Sequence, residues 1–414
     1  MSALPVIAIF DIGKTNKKLF LFDENYKIVF ERSARFNDTA DEDGFPCENL
    51  EALRLSVLDS LAEISRLKEF DIKAINFSTY GASFVHVDED GNAVTPLYSY
   101  LKPYPEDLKK KFYETYGGED EFSQVTASPV LGHLNSGMQL YWLKHRKPEV
   151  FRRIKFSLHL PQYISSLVTS QFYSDITSIG CHTNLWNFRK NNYHEWVYGE
   201  GIAEKLAPIT SSDKVVTVSL NEKNIYTGIG LHDSSAALIP YLASFDKPFI
   251  LISTGTWCIS LNPFNNYPLT GEQLQSDCLS YLTYEGKVVK ASRLFAGNDH
   301  EEQVKRIADH FNQNSDRYKT IVYDENTIVK LQKANSDTAA ADIIELIKKS
   351  LFAKRDLAAF GTYEEAYHQL ILDIITQQIA STKLIQEGTA VKQLFVDGGF
   401  SKNSIYMNLL ASAF

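Results

Sequence analysis

VIAIFDIGKTNKKLFLFD, residues 6–23, decides the fold. β-Branched and aromatic residues fill Val6–Asp11 and Lys18–Asp23, which read as two strands joined by the glycine-bearing turn DIGKTNK. A third run, Lys27–Phe36, follows a turn at Glu24–Asn25. Three strands joined by tight turns make an antiparallel meander, not the start of a βαβ unit.

Working outward, Leu50–Leu67 carries apolar residues at helical spacing, and Lys73–Thr79 and Ser83–Asp90 return to strand. Gly137–Lys147 and Pro161–Thr169 read as helices, whereas Asp175–Arg189 reads as an irregular polar segment of the kind that binds ligands. At Pro248–Leu261 the opening pattern returns: apolar strand, Gly/Thr turn, strand. Helices are then expected over Arg293–Phe311, Thr338–Phe352 and Tyr363–Gln386, a strand over Gln393–Val396, and a last helix after Asn403. Two halves that each begin with a strand–turn–strand hairpin predict a duplicated α/β fold with mixed sheets. The expected division is 1–235 and 236–414.

Bulk properties narrow the function. A chain of 414 residues exceeds the usual span of one core. Its net charge of −9 and lack of a basic stretch argue against a nucleic-acid partner. No apolar run approaches the roughly 18 residues needed to cross a membrane, and the N-terminus lacks a charged leader. Cys47, Cys181, Cys258 and Cys278 form no C-x-x-C pair and read as free thiols, so a cytoplasmic setting is expected.

The chemistry begins at Asp11-Ile12-Gly13-Lys14-Thr15-Asn16. Gly13-Lys14-Thr15 invites a P-loop reading, but that loop needs a glycine where Ala8 stands and a helix where KKLFLF forms a strand. Without it, Gly13 still lets backbone amides approach an anion, and Thr15 and Asn16 can donate to phosphate oxygens. Asp11 sits where it could hold a metal ion. A plain hairpin turn has the same residues. Ser253-Thr254-Gly255-Thr256 repeats the chemistry in the second half, as a phosphate clamp between two domains requires. Val396-Asp397-Gly398-Gly399-Phe400-Ser401-Lys402-Asn403 adds a Gly-Gly turn where adenine could lie on the backbone, with Ser401 placed to cap the following helix.

Taken in order, these three motifs resemble the two phosphate motifs and the adenosine motif of the actin, Hsp70 and sugar-kinase superfamily. Gly230-Leu231-His232-Asp233 before a small-residue helix is similar to the Gly-x-His-Asp segment of FGGY carbohydrate kinases. The resemblance, nearly chain-wide, implies two actin-like (ribonuclease H-like) domains with mixed central sheets flanked by helices and a cleft between them. It implies an enzyme that uses ATP and Mg²⁺ to phosphorylate a sugar hydroxyl, with room for a homodimer. Lys14 joins Gly13, Thr15 and Asn16 in the first phosphate loop. Gly398, Gly399, Ser401 and Asn403 line the nucleotide, and Asp11 supports the metal.

The family gives the general base to the aspartate matching Asp233; the position also suits a helix N-cap. Tyr80, Gly81, Ser83, His182 and His232 are the candidate sugar contacts. The segment Thr79–Phe84 resembles the Thr-Trp-Gly-Val-Asp-Phe stretch of the rhamnulokinase and fuculokinase branch, with Tyr80 for its tryptophan and Ser83 for its aspartate. L-Rhamnulose or L-fuculose are favoured over other ketoses and polyols. Family members run on for several dozen residues past the adenosine motif, whereas this sequence stops at Phe414; an incomplete chain and a nucleotide domain without its usual tail both stay open. A non-catalytic nucleotide- and sugar-binding sensor is the rival reading, although a sensor needs no base.

Overall fold

The structure, a computed structural model, describes residues 3–334 and 343–414. It divides into two units: the first runs to Tyr241 and includes Ser280–Lys287, and the second comprises Leu242–Leu279 with Val288–Phe414.

In the first unit β1 (Leu4–Ile12), β2 (Lys17–Phe22) and β3 (Ile28–Ala34) form the antiparallel meander. Alternation drives it: Val6, Ala8, Phe10 and Ile12 on β1 and Leu19 and Leu21 on β2 are buried. Helix α1 (Leu50–Ile64), capped by Asn49 accepting from Ala52 N at 3.0 Å, buries Leu53, Val57, Leu61 and Ile64. It leads to β4 (Phe70–Thr79), which lies parallel to β1. Beyond the buried helix α2 (Leu160–Thr169) comes a hairpin of β5 (Val215–Leu220) and β6 (Lys223–Gly228). The sheet order is β5-β6-β4-β1-β2-β3. A two-residue strand, β7 (Leu231–His232), runs parallel to the end of β4 and leads into α3 (Asp233–Ser244).

The second unit repeats this plan. Its hairpin is β8 (Phe249–Thr254) and β9 (Cys258–Asn262). With β10 (Cys278–Leu282, whose last three residues the division assigns to the first unit), β11 (Val288–Leu294) and β12 (Gln393–Gly398) they form a sheet in the order β10-β11-β9-β8-β12, in which β8 and β12 are parallel. Helices α4 (Ala296–His310), α5 (Tyr363–Gln386) and α6 (Ser404–Ala413) accompany it. The fold is α/β with mixed sheets, as expected.

Three local expectations change. The helix predicted from Arg293 starts at Ala296, because Val288–Leu294 pairs with β9. Of the helix predicted over Thr338–Phe352, residues 338–342 lie outside the described residues, and Ile343–Lys348 is helical. The segment 175–189 is buried for most of its length. It is not wholly irregular: Ile176–Ile179 is helical, capped by the Asp175 carboxylate, which accepts from Thr177 N at 2.9 Å and from the Ser212 hydroxyl outside the segment.

Candidate active site

Strands β1, β4 and β7 are mutually parallel and end together: Asp11 lies opposite Ser78, Ile12 opposite Thr79, and His232 opposite Thr79. In open α/β sheets, ligands bind outside the carboxyl ends of the strands. Asp11 and Asp233 thus stand at one edge of one sheet, on either side of β4. The turn beyond Asp11 is closed by Gly13 N donating to Asn16 O at 2.9 Å. Thr15 and Asn16 are exposed, and Arg35 Nε donates to Asn16 Oδ1 at 2.7 Å.

Asp11 feels the charge of Asp233. Burial, then the charge of Asp233, pushes the Asp11 carboxyl above its ordinary value, and only Lys18 opposes them. The Asp233 side chain is 41% exposed, and Oδ1 accepts from Ser234 N at 2.6 Å. That bond reaches only the next residue, so Asp233 opens α3 without the span of an N-cap.

Behind Asp233, His232 is buried, and burial lowers its pKa against the pull of Asp233. Its Nε2 lies 3.2 Å from Asp233 Oδ1 and 3.2 Å from Cys181 Sγ. Gly81 lies against the same ring: a Cβ there would stand 2.8 Å from His232 Nε2 and 2.9 Å from Cδ2. Gly81→Ala is therefore expected to cost about 1–3 kcal/mol. Gly399→Ala, with nothing within 4 Å, should leave the melting temperature nearly unchanged. Parallel thermal melts check the pair.

Of the other candidate sugar contacts, His182 is buried with Nδ1 3.0 Å from Leu134 O and its ring 6.0 Å from that of Tyr281. Ser83 is buried. Tyr80 is buried too, and its hydroxyl donates to Glu48 Oε2 at 2.5 Å. Sequence reading passes over Glu48, since a lone glutamate between turn residues carries no pattern.

In the second unit the parallel pair β8 and β12 brings Ser253 opposite Asp397 and Thr254 opposite Gly398. Gly255 N donates to Trp257 O at 2.9 Å, closing the turn, and Gly255 and Thr256 are exposed. The Thr254 hydroxyl donates to Asp397 O and accepts from Phe400 N at 3.0 Å, locking the two motifs together. Gly398 has φ 78, and a Cβ there would fall 1.9 Å from Thr254 O, so the position tolerates only glycine. Ser401 does not cap α6; its hydroxyl donates to Gly398 O at 2.7 Å. Asn403 is the cap, accepting from Ile405 N at 3.0 Å and Tyr406 N at 3.1 Å. Asp397, absent from the sequence-derived site, hydrogen-bonds Ser253, and burial raises its pKa.

Among the described residues no group of three or more His, Cys, Asp or Glu could hold a metal ion; what the first unit offers a magnesium ion is the carboxylates at this strand-end edge. Mg²⁺ takes one or two carboxylates together with substrate phosphates and waters. Asp11, whose ionisation is opposed by Asp233, has negative charge that a cation would relieve.

Two family descriptions match the chain: "FGGY family of carbohydrate kinases, N-terminal domain" over residues 6–239, and "Carbohydrate kinase FGGY, C-terminal domain" over residues 246–414. A rhamnulokinase of Halalkalibacterium halodurans is 23% identical over 272 residues, covering 63% of this chain and 56% of the relative. An L-fuculokinase of Escherichia coli is 24% identical over 265 residues, covering 61% and 55%. The chain thus spans about half the length of the curated relatives it matches. Among solved structures, a carbohydrate kinase from Novosphingobium aromaticivorans has a TM-score of 0.77 at 20% identity, covering 99% of this chain and 87% of that one. A ligand-bound xylulose kinase from Lactobacillus acidophilus gives 0.76 at 17%, covering 99% and 84%. With both halves matched in order, the chain belongs to the FGGY family of carbohydrate kinases.

Proposed function

We propose that this chain transfers the γ-phosphoryl group of ATP to a hydroxyl of a ketose or polyol, with Asp233 as general base. A sugar hydroxyl is a weak nucleophile, and a carboxylate within reach accepts its proton as the new O–P bond forms. The observation that carries the reading is the half-exposed carboxylate of Asp233 at the strand-end edge that also holds Asp11. Asp11 holds the Mg²⁺, which when bound neutralises phosphate charge. Gly13, Lys14, Thr15 and Asn16 meet phosphate oxygens. Gly81, beside His232, and Ser83 face the acceptor side. In the second unit Ser253–Thr256 and the Gly398–Asn403 turn take the nucleotide. The forced glycine at 398 packs the turn against Thr254, which ties the two motifs together, while Gly399, with nothing within 4 Å, leaves open space beside the turn.

L-Rhamnulose and L-fuculose lead as acceptors, on the Thr79–Phe84 segment and on the printed names of the first two relatives. Xylulose and gluconate follow, since kinases for these are also related. The four cysteines are buried and outside any disulfide, which suits a reducing cytosol. ADP release measured with ATP, Mg²⁺ and each of L-rhamnulose, L-fuculose, xylulose, ribulose and gluconate tests the reading. Sugar-dependent release with at least one acceptor is expected. Nucleotide binding with no release on a broader panel of ketoses and polyols would instead identify a sensor.

A further inference from the structure

Glu48 is 3% exposed, immediately before the cap of α1, and its two oxygens keep different company. Lys17 Nζ, itself buried, lies 2.7 Å from Oε1 and donates to Lys14 O at 2.9 Å, which pins one oxygen to the backbone of the phosphate turn. Oε2 accepts the Tyr80 hydroxyl at 2.5 Å and faces Lys14 Nζ at 3.7 Å. The Lys14 ammonium also stands 5.8 Å from the Tyr80 ring, and its side chain remains 30% exposed. A buried carboxylate needs its compensating partners. Here Lys17 is the close ionic partner of Oε1, while Lys14 and Tyr80 share Oε2.

We propose that Glu48 is a positioning residue that couples the phosphate turn to the Tyr80 segment, by dividing Oε2 between the Lys14 ammonium and the Tyr80 hydroxyl. This rests on the reading of Lys14 as a phosphate ligand. A nucleotide phosphate at the turn draws Lys14 off Glu48, and Oε2 then turns wholly to Tyr80. The charge-assisted bond to the phenol strengthens, and the Tyr80-Gly81 segment, whose Gly81 abuts His232, is held more firmly beside Asp233. Run in reverse, loss of the phenol hydroxyl leaves Oε2 to Lys14, which is then less available to phosphate. By reciprocity, whatever orders Tyr80 must favour nucleotide binding.

The test is the affinity of the chain for the β,γ-imido analogue of ATP with Mg²⁺, by calorimetry at fixed salt and without sugar. Glu48→Gln removes the competing charge and is expected to tighten binding roughly three- to tenfold. Tyr80→Phe is expected to weaken it roughly threefold. In the Glu48→Gln background, Tyr80→Phe should change nothing further. Opposite signs matter, because a purely structural role for Glu48 would make both variants weaken binding. Should Glu48→Gln fold poorly by thermal melt, Lys14→Gln carries the test: it lowers affinity, and adding Tyr80→Phe lowers it no more. Both single variants weakening binding, or Tyr80→Phe acting equally in every background, overturns the coupling and leaves the nucleotide reading standing. A wild-type chain that does not bind the analogue overturns both.

Discussion

Asp233→Ala is expected to lower phosphoryl transfer by roughly two to four orders of magnitude, the usual contribution of a positioned acid–base group. ATP affinity should change little, because the turns proposed to take the nucleotide lie on β8 and β12, far along the chain. Fold stability should change little as well. The side chain is 41% exposed, and its Oδ1 bond to Ser234 N spans a single residue. An N-cap would instead lose about 1 kcal/mol of stability and keep its rate. Turnover and melting temperature on this one variant separate the two roles, and a destabilised but fully active protein would reject the base.

The same substitution has a second readout. Asp233 is the charge that, after burial, raises the Asp11 pKa. Asp233→Ala should therefore let Asp11 ionise at lower pH than in the wild type, a shift visible by carboxyl NMR titration with no substrate present.

The opening hairpin was legible because one face is buried and the other is not. Val6, Ala8, Phe10 and Ile12 alternate with outward residues, and period two is the signature of such a strand. Helix α5 was equally plain: Thr362 caps it, and no glycine or proline interrupts its 24 residues. What escaped were strands without that contrast. Cys278–Leu282 and most of Val288–Leu294 are buried on both faces, so CLSYL and VVKASRL show no period. Polar Ser292, Lys290 and Arg293 are buried there, which hides the strand from any hydrophobic pattern. The hairpin β5–β6 turns through Asn221 and Glu222, both at positive φ, and Glu222 announces no such turn.

The candidate site divides along similar lines. Glycine turns and acidic strand ends stand out because few residue types can occupy them. Glu48 did not, since its role comes from Tyr80 and Lys17, which lie 32 and 31 residues away along the chain. Asp397 sat within a quoted motif, yet its meaning depends on Ser253, which only the β8–β12 register brings beside it. The cap of α6 went to Asn403 instead of Ser401 because the chain makes one further short turn, Gly399–Lys402, before the helix begins.

Asp11→Asn is expected to separate activity from stability in opposite directions. Asp11 is held above its ordinary pKa by burial and by Asp233. A carboxylic acid with a raised folded-state pKa favours the fold while protonated, and that contribution is lost as pH rises through the raised value. At neutral pH the ionised Asp11 is therefore a destabilising charge, kept beside a second carboxylate where function requires it. Asparagine preserves shape and removes the charge. Without ligands, the variant's melting temperature at neutral pH should equal or exceed that of the wild type, and the difference should shrink toward acid pH, where Asp11 is protonated in both states. With ATP and Mg²⁺ the order should reverse, since ligand binding to the folded wild type raises its stability by mass action. A variant without the carboxylate gains less. Turnover should fall about a hundredfold or more, in line with removing one preorganised group from a charge-developing transition state. Melting curves with and without Mg²⁺–ATP across pH 4–8, read beside turnover, decide the matter. A variant that is less stable than wild type when unliganded, or one that keeps full turnover, would remove Asp11 from the metal-supporting role.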